Sequence, residues 1–313
     1  MSVNRQSYLF AREKAGDLGI DQRSCTRVNH AAVCAYRLRL FGRSITWQTW
    51  PVLVACVLQM MIAACRVGVS ADDADRSVKQ YELAVGLQQE GNAPGAFKTL
   101  YKALEYNPNN PKAHLLLANL FLLTRDDNPP RNDREAEEHF RKVLEIQAGE
   151  YATEESLGSE ARNGLGVLYI HQGRHSEAVK ELLAAVSDLF NRDAHMAWGN
   201  LGWAYLELHN YPKAIDALVR SVRLRRDFCV GHFRLGRAYL ATRDYAKAEQ
   251  ALTSAIEADP RCDAFQDAWY LRGEARMNLG NREDARGDFE RCVELQAKSE
   301  AGKACSRYLA ATY

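Results

Sequence analysis

The sequence predicts an all-α fold, a right-handed superhelical solenoid of about six helix pairs with a C-terminal capping helix. Three observations predict it. A small residue recurs within apolar helical stretches at Ala84, Ala118, Gly166, Gly202, Gly236 and Gly273. Twelve residues after five of these comes an alanine: Ala96, Ala178, Ala214, Ala248 and Ala285. Four residues beyond each alanine stands a large apolar side chain, at Leu100, Leu182, Leu218, Leu252 and Phe289. A period of about 34 residues with this content marks stacked helical hairpins. The small residues let one helix approach the next, and the large ones fill the space around the contact.

Residues 1–44 show no clear period and receive no fold. Residues 45–65 form a signal segment. Within it, 52–65 run for 14 residues without a charge, preceded by Arg37, Arg39 and Arg43. A spanning helix needs about 20 residues, so this stretch is short for one. A basic flank, a short apolar core and a small-residue exit are the parts of a secretory signal. The exit Ile62-Ala63-Ala64-Cys65 resembles the bacterial lipobox, which implies that Cys65 is lipidated and becomes the first mature residue. The competing reading is a retained anchor, with Trp47 and Trp50 at the membrane interface.

Residues 66–76 read as a linker. The six repeats then occupy 77–110, 111–150, 159–192, 195–228, 229–262 and 266–299. In the second repeat the alanine, Ala136, lies 18 residues after Ala118, and Phe140 follows it. The insertion Asp126–Arg131, containing Pro129-Pro130, accounts for the extra length in the turn. Glu90-Gly91-Asn92, Gln172-Gly173-Arg174, Arg243-Asp244 and Leu279-Gly280-Asn281 are turn signals between paired helices. Pro108 and Pro260 close the first and fifth repeats. Residues 300–313 form the capping helix, with Tyr308 and Leu309 covering the last apolar face.

Composition narrows the function. The chain of 313 residues has 41 Lys and Arg against 40 Asp and Glu, a net charge of +1. Residues 1–65 hold eight basic and three acidic residues, so the remainder is mildly acidic. That balance gives no electrostatic footprint for nucleic acid. No phosphate-binding loop, metalloprotease helix motif or nucleophile elbow occurs, so neither a catalytic residue nor a cofactor is assigned. His171 and His175 are four apart but straddle the turn at Gly173, so no metal site is assigned. Glu137-Glu138 and Glu154-Glu155 read as solvated faces. Cys292 and Cys305 are positioned to meet where the last repeat packs on the capping helix, as a disulfide or as two buried thiols.

The first helix of each pair lines the inner surface of such a stack. Residues expected there are Val167 and Ile170, then Met196, Trp203 and Leu206, then Val230, Phe233 and Leu240, then Tyr270 and Met277. An exposed apolar strip of this kind marks a binding surface for a protein segment. Arg237, Glu207 and Glu274 punctuate it and are placed to fix the polarity of a bound peptide. The alternative is that some of these side chains belong to the core, with the helical phase off by one. A two-carboxylate clamp is disfavoured, because only Asn119 and Asn163 lie on that face and no lysine set accompanies them.

The repeats resemble the tetratricopeptide repeat (TPR), most clearly in Trp198-Gly-Asn-Leu-Gly-Trp-Ala-Tyr205 and His232-Phe-Arg-Leu-Gly-Arg-Ala-Tyr239. The third repeat ends in Glu181-Leu-Leu-Ala-Ala-Val-Ser-Asp-Leu-Phe190, without the usual proline, and runs on to Trp198. Together with the lipobox, this junction resembles the PilF/PilW/Tgl pilotins, type IV pilus biogenesis lipoproteins, over residues 65–313. The long leader, the Pro129-Pro130 insertion and the octet Tyr151–Gly158 depart from that pattern. The resemblance implies a lipid-anchored adaptor on the periplasmic side of the bacterial outer membrane. Its groove would capture a secretin subunit and aid secretin assembly. A second reading is a scaffold, held at the inner membrane or in the periplasm, that bridges envelope complexes.

Overall fold

A computed structural model describes residues 69–124, 129–149 and 157–311, all within the unit Gly68–Tyr313. The described residues form an all-α superhelix of TPR pairs. In chain order the helices are α1 Ala71–Gln89, α2 Ala93–Tyr106, α3 Pro111–Leu123, α4 Pro129–Ala148, α5 Leu157–His171 and α6 His175–Ser187. They continue as α7 Ala194–Glu207, α8 Tyr211–Leu224, α9 Cys229–Ala241 and α10 Tyr245–Glu257. After a 3-10 turn at Pro260–Ala264 come α11 Gln266–Leu279, α12 Arg282–Gln296 and the closing α13 Glu300–Ala311. Each odd-numbered helix from α1 to α11 packs on its successor, and successive pairs stack.

Local chemistry sets the helix ends. The backbone takes a left-handed conformation between paired helices at Gly91, Gly173, His209, Arg243 and Gly280. At three of these turns the next residue caps the second helix with its side chain: Asn92 accepts from the Gly95 amide, Asn210 from Lys213 and Asp244 from Lys247. These caps satisfy amide groups that the helix itself leaves without partners.

The repeat residues meet as pairs. Leu100, Phe140, Leu182, Leu218 and Leu252 are fully buried, and Phe289 nearly so. A Cβ built on Gly236 would stand 2.5 Å from Leu252 Cγ, and one on Gly273 would stand 2.6 Å from Phe289 Cε1. Leu182, Leu218, Leu252 and Phe289 therefore fill the space that Gly166, Gly202, Gly236 and Gly273 leave, and Phe140 fills the space beside Gly164 of the next pair. Each contributes roughly 1.5–3 kcal/mol by burial.

Two expectations need correction. Residues 71–76 are not linker but the first turns of α1, because Ser70 caps the helix by accepting from the Asp73 amide at 3.1 Å. Asp72 and Asp73 also suit the positive end of the helix dipole. Pro129-Pro130-Arg131 is not turn but the start of α4. Proline fits there because the first helical amides need no partner within the helix.

At the C-terminal end Tyr308 stacks on Phe289, with ring centroids 4.7 Å apart, and Leu309 packs on the same cluster. Beside it lies a buried ionic network. Arg272 donates to Asp288 at 2.7 Å, Arg276 donates to Asp288 at 2.9 Å, and Arg276 reaches Glu249 at 2.8 Å.

Candidate partner-binding face

The first helices of pairs three to five bring a polar ladder together. Asn200 on α7 donates from Nδ2 to Asn163 Oδ1 on α5 at 2.9 Å. Its own Oδ1 accepts from Arg234 Nη1 on α9 at 2.8 Å. The Arg234 guanidinium lies over the Trp203 ring, 4.5 Å from the centroid. Trp203 Nε1 donates to Glu207 at 3.0 Å, and the same carboxylate oxygen lies 3.6 Å from Arg237 Nη2. The His171 ring stands edge-on to Trp203 at 5.3 Å. These bonds place residues of three successive repeats on one face.

Electrostatics on this face are uneven. Burial, with Arg237 nearby, lowers the Arg234 pKa to about 10. Burial raises the Glu274 carboxyl above its ordinary range. Both shifts follow from charge held partly out of water.

The expected apolar strip is not continuous. Ile170 and Leu206 are buried, at 5% and 6% exposure, and belong to the core rather than to the groove wall. Leu206 packs in a cluster with Leu235 and Ala238 of α9 and Leu218 of α8, so the seam between neighbouring repeats consumes it. Ile170 likewise joins the cluster containing Leu168 and Tyr169. Phe233 and Leu240 are half-buried against Leu252, Ile256 and Ala268, and Phe233 lies 4.5 Å from the Phe265 ring. Tyr270 and Met277 are half-buried against the Phe289 cluster. Val167, Met196 and Val230 remain at least partly open, Met196 at 40% and Val230 at 38% exposure. Each is four residues from a rung of the ladder, which puts it on the same helix face. The face is therefore a polar ladder flanked by separate apolar side chains.

Asn200 and Arg234 were not singled out from the sequence. The available signal was their place, each two residues before the small residue of its helix, at Gly202 and Gly236. A second feature is the loop between α6 and α7, where Leu189 is 96% and Phe190 80% exposed. Leu183, Trp198, Tyr205 and Pro212, from α6, α7 and α8, help to line a cleft of about 430 Å³.

Cys292 and Cys305 form a disulfide with Cα atoms 6.4 Å apart. Cys229 and Cys262 form another at 6.0 Å, which the sequence reading did not pair. The signal for it was their separation of 33 residues, close to one repeat. Among the described residues, no three His, Cys, Asp or Glu side chains converge as metal ligands. Also among these residues, no helix is long and apolar enough to cross a membrane. Cys65 and the segment around it lie outside the described residues.

Known proteins fit this architecture. Tetratricopeptide repeat family models match residues 134–191, 197–228 and 233–311, together more than half of the chain. The chain belongs to the tetratricopeptide repeat family. It is 30% identical over 146 residues to the type IV pilus assembly protein PilF of Pseudomonas aeruginosa. That stretch is 47% of this chain and 52% of PilF, so the chain spans about half the length of the curated relative it matches. In fold it is similar to a structure from a functional characterization of Pseudomonas aeruginosa PilF, with a TM-score of 0.61 and 21% identity. That likeness covers 76% of this chain and 99% of the other. It is also similar in fold to the crystal structure of PilW, a widely conserved type IV pilus biogenesis factor, with a TM-score of 0.61 and 19% identity. There the coverage is 73% of this chain and 97% of PilW.

Proposed function

We propose that the protein is a non-enzymatic TPR adaptor of type IV pilus biogenesis, a pilotin that binds a secretin subunit and promotes its assembly in the outer membrane. The observation that carries this reading is the 30% identity to PilF over 146 residues, because likeness of fold alone is common to all TPR solenoids. The inner face of α5, α7 and α9 suits a partner segment. Its hydrogen-bonded ladder fixes orientation, and Met196 and Val230 offer apolar contact. Lipidation of Cys65 would hold the array at the membrane from its periplasmic side. Two disulfides favour an oxidising compartment of this kind. One acyl chain binds membranes marginally, so firm anchoring calls for more than one at this cysteine.

Two assays test the reading. Labelling with radioactive palmitate should mark the wild type and not Cys65→Ala, and the variant should leave the membrane fraction. Unchanged labelling and fractionation would refute the anchor. Met196→Asp and Val230→Asp introduce charge at exposed positions and should leave the helical circular dichroism of the array unchanged. Both should lower co-purification of the secretin. Full capture by both, with loss only in Phe190→Ser, would move the docking surface to the α6–α7 loop.

A further inference from the structure

The loop between α6 and α7 holds two apolar side chains out in solvent. Leu189 at 96% and Phe190 at 80% exceed every other large hydrophobic residue among those described. The loop is ordered to keep them there. The Phe190 amide donates to Asp188 Oδ1 at 2.9 Å, and Asn191 Nδ2 donates back to the Ala185 carbonyl of α6 at 3.0 Å. The Asp193 amide donates to Asn191 Oδ1 at 3.0 Å. A fixed, exposed apolar pair of this kind marks a contact surface.

A second loop lies against the first. Near the end of α8, Ser221 Oγ donates to the His195 carbonyl at the start of α7 at 2.6 Å, and the His195 ring meets Phe228 edge-on at 5.1 Å. The α8–α9 junction therefore shares an edge of the array with the α6–α7 loop, the edge at which first helices begin. Residues 188–193 and 223–228 hold four arginines against three aspartates, so the edge does not repel anions. Arg192, Arg223 and Arg226 are exposed and make no ion pair among the described residues. Leu224, beside Arg223, is 59% exposed.

Projecting apolar side chains flanked by cations suit the boundary of a bilayer. A rigid partner would have to supply a pocket of matching shape, whereas acyl chains close around a wedge. The long arginine side chains can meanwhile reach headgroup phosphates. We propose that Leu189 and Phe190 insert among the acyl chains of a phospholipid bilayer while Arg192, Arg223 and Arg226 donate to its headgroup phosphates. Helix α1 begins at the same edge with Ala71, which residues 66–70 join to Cys65. The loop would thus add a second foothold to the proposed lipid anchor, as stable attachment requires. The inference rests on the membrane setting of the proposed function and not on the secretin.

The test uses the full-length protein reconstituted into vesicles of phosphatidylethanolamine and phosphatidylglycerol, with acyl chains plain or brominated. Phe190→Trp adds an indole at the loop, and Leu279→Trp adds one in the α11–α12 turn at the opposite edge. Each is read as the difference from the wild type, which has five tryptophans. The emission added by Phe190→Trp should move to shorter wavelength and be largely lost in brominated vesicles, with that of Leu279→Trp unchanged. Adding Arg223→Glu/Arg226→Glu to Phe190→Trp should reduce the loss. Equal quenching at both positions, or none at the loop, would overturn the proposal. So would a shift that requires the secretin, or one that grows with protein copies per vesicle without bromine quenching, since each assigns the loop to a protein contact. Quenching at the loop with no palmitate on Cys65 would sink the lipid anchor alone. Palmitate on Cys65 with an unquenched loop would sink only this inference.

Discussion

Asp288 shows at the scale of one residue what burial does to charge. It is 2% exposed and accepts from both Arg272 and Arg276, and the Arg272 side chain is 7% exposed. Asp288→Ala would leave Arg272 buried without its carboxylate, a loss of about 3–5 kcal/mol. Urea denaturation should show it, and the double variant Arg272→Met/Asp288→Leu should recover much of the loss. A single-variant loss under about 1 kcal/mol would mean that water reaches the pair. His139 gives a pH dependence. Burial and the adjacent His114 ring, 2.9 Å away between Nδ1 atoms, hold its pKa down at about 4. The unfolded chain takes up this proton near the ordinary value of 6.5. The His139 contribution is therefore fully present above that pH and lost as pH falls toward 4. At about 1.4 kcal/mol per pH unit, the loss reaches roughly 3 kcal/mol. Denaturation at pH 7.5 and pH 4.5 should show this drop in the wild type and a smaller one in His139→Leu.

At the scale of elements, the closing helix depends on two features that can be altered separately. Gly302 lies against the Gln296 carbonyl and the Ala297 backbone, so a Cβ there meets main chain that has no rotamer by which to yield. Gly302→Ala should destabilise α13 by about 1–3 kcal/mol, read as faster amide exchange in 300–311 with the first repeats unchanged. The disulfides tie α9 to the turn before α11 and α12 to α13. Peptide mapping without reductant should recover Cys229–Cys262 and Cys292–Cys305, and any other pairing would contradict the packing of these elements. The hairpins were legible in the sequence because Gly202 with Leu218, and Gly236 with Leu252, encode close approach at fixed spacing. The Ala71 start was missed because one serine sets it, outside any period. Ile170 and Leu206 were misplaced because contact between first helices of neighbouring repeats buries a position that one helix considered alone leaves open. Arg234 was missed because its bond to Asn200 and its place over the Trp203 ring join two repeats, a pairing that only three-dimensional neighbours reveal.

For the whole molecule, the repeats form an array in which each pair touches its neighbours, so a surface spanning several repeats needs them all in register. The ladder from Asn163 through Asn200 to Arg234 is such a surface, crossing three repeats by side-chain hydrogen bonds alone. A partner held there would read the spacing of the repeats as well as their residues. The pilotin account makes a demand on cells rather than on the isolated chain. The most direct measurement is the amount of detergent-resistant secretin multimer in cells that lack this protein, then carry it, then carry Met196→Asp/Val230→Asp at equal abundance. The account requires multimers only with the unaltered protein and secretin monomers in the other two. Equal multimer in all three strains would contradict it.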